Sequence, residues 1–104
     1  MTVAEIRALV ASIDSTASHY LSTEKTKPYT AWHEYSRAPL YGDGKPAEDS
    51  WQFQVDRFTK SEDDEMVDKI FNALSADDRI TVKHLVMYER DSGYIHHVFQ
   101  CRAV

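Results

Sequence analysis

Five histidines, one cysteine and a run of acids are the residues of this sequence whose types could do chemistry. His19, His33, His84, His96 and His97 invite a metal reading, because imidazole is a common transition-metal ligand. Their spacing argues against it. His96 and His97 are adjacent in a segment with strand character, so their side chains point to opposite faces. His84 and His96 could face each other across a hairpin, but no third ligand completes a closed set. Cys101 lies in Phe99-Gln100-Cys101-Arg102 with no sharp turn around it, and reads as a small buried apolar residue rather than a reactive thiolate. No serine sits in a Gly-x-Ser-x-Gly turn. Gly42-Asp43-Gly44-Lys45-Pro46 lacks the spacing of a phosphate loop, and Pro46 stands where a hydroxyl and a helix are needed. Asp63, Asp64 and Glu65 read as partners of a helix dipole rather than catalytic acids. A hydrolase built on His96 or His97 lacks partner geometry. The expectation is therefore no catalytic residue, no metal and no cofactor: the protein is not an enzyme.

Trp32, Tyr35 and Tyr88 could stack bases, but base-stacking platforms sit in positively charged grooves. Lys and Arg number 12 against 17 Asp and Glu, a formal charge of −5. That balance excludes a phosphate-backbone grip and leaves sheet-core or subunit-interface packing as the account of these aromatics. The 104 residues form a single domain, 1–104, too short for separate cofactor and substrate domains. Hydrophobic residues at 42% and charged residues at 28% argue against disorder. A lone cysteine fits a reducing cytoplasm. No apolar run approaches the about 20 residues of a membrane span, and MTVAEIRALVASIDS lacks the basic start and apolar stretch of a secretory leader. The chain is expected to be soluble and made in the cytosol.

Two segments carry helical period. Thr2 with Glu5 forms a capping-box pattern, and Val3, Ile6, Val10, Ile13, Ala17 and Tyr20 make one apolar stripe, predicting a helix over about 3–21. Ser61 is expected to cap a second helix, about 62–76, whose buried face is Val67, Ile70, Phe71 and Leu74. Strands are predicted over about 29–37, 50–58, 80–90 and 94–102. Trp51, Phe53 and Val55 alternate with polar residues, and Phe58 breaks that parity, predicting a bulge or change of face near Arg57. Arg90-Asp91-Ser92-Gly93 marks a hairpin. The expected fold is α+β: a single antiparallel four-stranded sheet with two helices packed on one face, in the order α-β-β-α-β-β.

The connection over 36–50 is long for a loop in a small domain, and such loops are often functional. Leu40 and Tyr41 at its centre either fold back on their own sheet or are buried by a neighbouring subunit. Leu40, Tyr41, Asp43, Lys45, Trp32 and Tyr35 are the candidate interface residues.

The order of segments resembles the small tail-completion, or tail-terminator, proteins of long-tailed bacteriophages. The likeness rests on Pro28-Tyr29-Thr30-Ala31-Trp32-His33-Glu34-Tyr35, on Trp51-Gln52-Phe53-Gln54-Val55-Asp56-Arg57-Phe58, on the helix from Ser61 to Leu74 with its Ala73-Leu74 end, and on Tyr88 to His97 as the closing hairpin. The resemblance implies a structural protein of the virion tail and neck, assembled in the host cytoplasm. Such proteins form a ring, typically a hexamer, that caps the head-proximal end of the tail tube and meets the head connector or stopper protein. DNA passes through the lumen without specific binding, and no membrane is involved. Other neck proteins share this setting. The alternative of another class is a small cytosolic ligand-binding or regulatory module using the helix–sheet cleft.

Overall fold

In the computed structural model, residues 1–22, 27–42 and 45–104 are described, and the side chains of residues 40–49 fall outside that description. The elements run α1 Val3–Ile13, β1 Ser18–His19, β2 Tyr29–Gly42, β3 Lys45–Thr59, α2 Glu65–Ser75, β4 Ile80–Tyr88 and β5 Ile95–Ala103. They form one five-stranded sheet in the order β1-β2-β3-β5-β4. β1 pairs with β2 in parallel and every other pair is antiparallel. The α+β class with two helices therefore stands. The four-stranded antiparallel sheet and the α-β-β-α-β-β order are corrected to a mixed five-stranded sheet in the order α-β-β-β-α-β-β.

The missing strand comes from the supposed C-terminal half of the first helix. α1 starts as expected, with the Thr2 hydroxyl accepting from the Glu5 amide and the Glu5 carboxylate accepting from the Thr2 amide. It stops at Ile13 because Asp14 turns its carboxylate onto the Thr16 amide (3.0 Å) and hydroxyl (2.7 Å). A short polar side chain bonding its local backbone competes with helix propagation. The chain then extends through Ser18 and His19, and the Tyr20 amide donates to the Trp32 carbonyl at 2.7 Å. Ala17 and Tyr20 continue the helical spacing by coincidence. Tyr20 has a left-handed φ of 71° and is exposed.

α2 begins three residues later than expected. Its cap is Asp64, which accepts from the Met66 amide at 3.0 Å, while Ser61 instead accepts from the Asp63 amide. Both helices cover the same sheet face. Ile6, Val10 and Ile13 of α1 and Val67, Ile70 and Leu74 of α2 join Trp32, Phe53, Val55, Phe99, Cys101 and Ala103 in one core. Phe71 stays at the surface.

No bulge occurs near Arg57. β3 keeps unbroken register with β5 from Trp51↔Ala103 to Thr59↔Ile95. Strict alternation puts Phe53, Val55, Arg57 and Thr59 on the covered face and Gln52, Gln54, Asp56 and Phe58 on the open one. Phe58 never changes sides: it stacks on the open face against Tyr29 (4.6 Å) and His96 (4.0 Å). The bulge falls on β2, where the register skips Tyr35 between Glu34↔Phe53 and Ser36↔Gln52. The Arg90–Gly93 turn forms as expected, closed by Glu89 and Tyr94, with Gly93 at φ 76° where a side chain would be strained.

Candidate functional site

The 36–50 connection is mostly strand. β2 and β3 pair from Tyr29↔Phe58 to Gly42↔Lys45. Pairing of β3 with β5 ends at Trp51↔Ala103, and β1 reaches only Trp32. Ala38–Gly42 and Lys45–Ser50 therefore pair with each other alone, as a two-stranded ribbon beyond the rest of the sheet. At about 3.3 Å per residue it is on the order of 17 Å long. The molecule is correspondingly drawn out, 49 × 23 × 23 Å. Leu40, Tyr41 and Lys45 lie in this ribbon, with their side chains outside the described set, and Asp43 lies outside the described residues altogether. Trp32 is a core residue, 2% exposed and stacked on His19 at 3.9 Å. Tyr35 is half exposed at the bulge where the ribbon departs. The six candidates are thus divided: three in the ribbon, one at its base, one inside, and Asp43 outside the described residues.

The opposite sheet edge is β4. It pairs only with β5, so its other side offers open backbone groups over Ile80–Tyr88. Val86, Met87 and Tyr88 at its end are exposed, as is Phe71 of α2. β1 blunts the first edge with only two residues, and β4 has no such cover.

The open sheet face carries rows fixed by register. Gln52, Arg102 and Thr81 form one row and Gln54, Gln100 and Lys83 the next. Tyr35, Gln52, Thr81, Lys83, Gln100 and Arg102 are among the residues lining a groove of about 240 Å³. Asp56, Val98 and Leu85 follow, then Phe58, His96 and Met87. Asp56 is buried; it accepts from the Gln54 amide (2.7 Å) and lies 2.7 Å from His96 Nε2 and 3.9 Å from His33 Nδ1. Glu89 approaches the other ring nitrogen of His96 at 3.4 Å. Both nitrogens of that ring thus face carboxylates, an arrangement that orients the imidazole but leaves neither nitrogen turned toward a substrate.

His97 points to the covered face, opposite His96, as adjacency in a strand requires. Its partner is His84, at 2.9 Å, rather than the His84–His96 pair that spacing suggested. The register explains this: Val86 is opposite His97 and Met87 opposite His96, so His84 shares a face with His97 and not with His96. Burial lowers both histidines' pKa values, and at His97 the neighbouring His84 lowers it further. Among the described residues, no three His, Cys, Asp or Glu side chains are arranged to hold a metal ion. Burial pushes the Cys101 thiol up to about 12, so it stays protonated at neutral pH.

Sequence reasoning missed the open-face clusters. Alternation in β3 marks Gln52, Gln54 and Asp56 as one face, but only the β3–β5–β4 register puts Lys83, Arg102 and His96 beside them. Neither protein-family models nor curated proteins give a match to this chain. Among the described residues, no helix is long and apolar enough to cross a membrane.

Proposed function

We propose that this protein is a structural assembly subunit: a tail terminator that forms a ring on the head-proximal end of a phage tail tube and joins it to the head connector. The observation that carries the reading is the β2–β3 ribbon. An isolated two-stranded hairpin is marginal in water, so a ribbon that, among the described residues, pairs with no other strand is best accounted for by burial against a neighbour. The bare β4 edge with Val86, Met87 and Tyr88 lies at the far side of the sheet, and unpaired edges are otherwise open to uncontrolled pairing. Two different patches at separate places are what a cyclic, head-to-tail ring requires of each subunit. The stretches Pro28–Tyr35, Trp51–Phe58, Ser61–Leu74 and Tyr88–His97, which resemble the tail-terminator family, are what suggest a tail tube as the partner.

Light scattering and negative-stain imaging of the purified protein, alone and with tail-tube protein, test the reading. A closed ring, or capped tubes of limited length, is expected. A strict monomer that never binds or caps tubes overturns it.

A further inference from the structure

Copies of a chain with formal charge −5 repel one another at long range. Association is favoured where opposite charges meet. The open sheet face supplies the positive partner. Lys83 and Arg102 are exposed in diagonal positions on neighbouring strands, β4 and β5, at a groove also lined by Tyr35, Gln52, Thr81, Val82, Gln100 and Cys101. Among the described residues neither cation has a carboxylate within ion-pair distance. Arg57 and Arg79, by contrast, each lie between two acids. Apart from Val82 and Cys101, the groove's neutral lining offers amides and hydroxyls, groups that can hydrogen-bond a carboxylate without competing charge.

The negative partner is on the other face. Glu62, Asp63, Glu65 and Asp68 are exposed around the start of α2, at a recess of about 250 Å³. Asp64 is the one acid of that group held by an arginine, Arg57. We propose that the Lys83–Arg102 groove of one copy docks Glu62 and Asp63 of a second copy. This inference rests on the ring reading and names the contact that builds the ring. Because groove and acids lie on opposite faces of one sheet, the contact is head-to-tail, the kind that generates rings.

The test exchanges the charges. One variant carries Lys83→Glu with Arg102→Glu, and the other carries Glu62→Lys with Asp63→Lys; Asp64 is left intact. Wild type is expected to assemble in sedimentation velocity, less so as salt rises above about 0.15 M, where screening shortens to about 8 Å. Each variant alone should sediment as a monomer at concentrations about tenfold above those at which wild type assembles. The equimolar mixture should assemble again, because each reversed patch meets its complement. Recovery in the mixture also shows that both variants are folded. If either variant has lost its cooperative melt, the neutral pairs Lys83→Gln/Arg102→Gln and Glu62→Gln/Asp63→Asn take their place and must each weaken assembly. Assembly of single variants at the wild-type level, or folded variants that stay apart when mixed, overturns the contact while leaving the ring intact. Wild type that remains a monomer with tail-tube protein overturns both.

Discussion

Arg57 lies 9% exposed on the covered face of the sheet, where alternation alone would place an apolar residue. Its Nε donates to Asp64 at 2.8 Å and its Nη1 to the Thr30 hydroxyl at 3.1 Å. Asp14 Oδ2, which accepts no hydrogen bond, faces the same guanidinium at 3.7 Å. One side chain thus ties the end of α1, the start of α2 and two strands. Burial works against both carboxylates. It is outweighed at Asp14 by Thr16, Thr30 and, last, Arg57, and at Asp64 by Arg57 and the Met66 amide, so both pKa values are lowered. Arg57→Ala removes the cation facing Asp14 and Asp64 and is expected to cost about 3 kcal/mol, read from the urea midpoint; a loss below about 1 kcal/mol would show the network to be dispensable. The His84–His97 pair carries a pH prediction. A histidine whose pKa is lowered on folding binds fewer protons than in the unfolded chain, so its contribution is complete above about 6.5 and declines as pH falls. Asp64 and Asp68 partly oppose this shift, while His96 and Arg57 add to it at His97. Thermal midpoints are expected to fall between about pH 7.5 and 5.5, and to fall less in His84→Gln/His97→Gln. An equal fall in both proteins removes the pair as the cause.

Two elements reach beyond the strand pairing found among the described residues. The ribbon of β2 and β3 leaves the sheet beyond Trp51, and β4 closes the sheet with a bare edge. Residues there should matter more to assembly than to folding. Replacing Leu40 and Tyr41 with Ser is expected to weaken ring formation while the monomer keeps its melting temperature; unfolding of the monomer would place the pair in its own core. Val86→Lys puts a charge on an exposed edge position, 58% accessible, a device that discourages strand pairing. Stability should change by no more than about 0.5 kcal/mol, and light scattering should show whether assembly uses that edge: an unaltered ring removes β4 from the contact.

At the scale of the assembly, charge is the governing quantity. On the proposed ring reading, six copies of a −5 chain would carry −30, a charge that repels phosphate backbones. Duplex DNA is expected to run unretarded with the assembled protein at about 0.15 M salt, and a mobility shift there would mean that cations dominate the lumen. The same net charge makes self-association depend on where the few unneutralised cations sit, which is a property of the folded surface.

Much of this architecture was legible in the chain. Thr2 and Glu5 mark the start of α1 because a cap is a local bond, and Val67, Ile70 and Leu74 mark the buried side of α2 because their period is the helix's own. The alternation of Trp51 to Val55 shows a half-covered strand, and Gly93 a turn that needs a left-handed residue. These signals depend only on neighbours in sequence. The end of α1 at Asp14 was hidden by apolar spacing that ran on through Ala17 and Tyr20, and the 36–50 segment read as a loop because its prolines and glycines obscured a pairing made across strands. Which histidines meet, which face Lys83 and Arg102 share, and which edge stays bare depend on register and strand order. Those follow from how residues far apart in sequence bury a common core, so only the tertiary structure decided them.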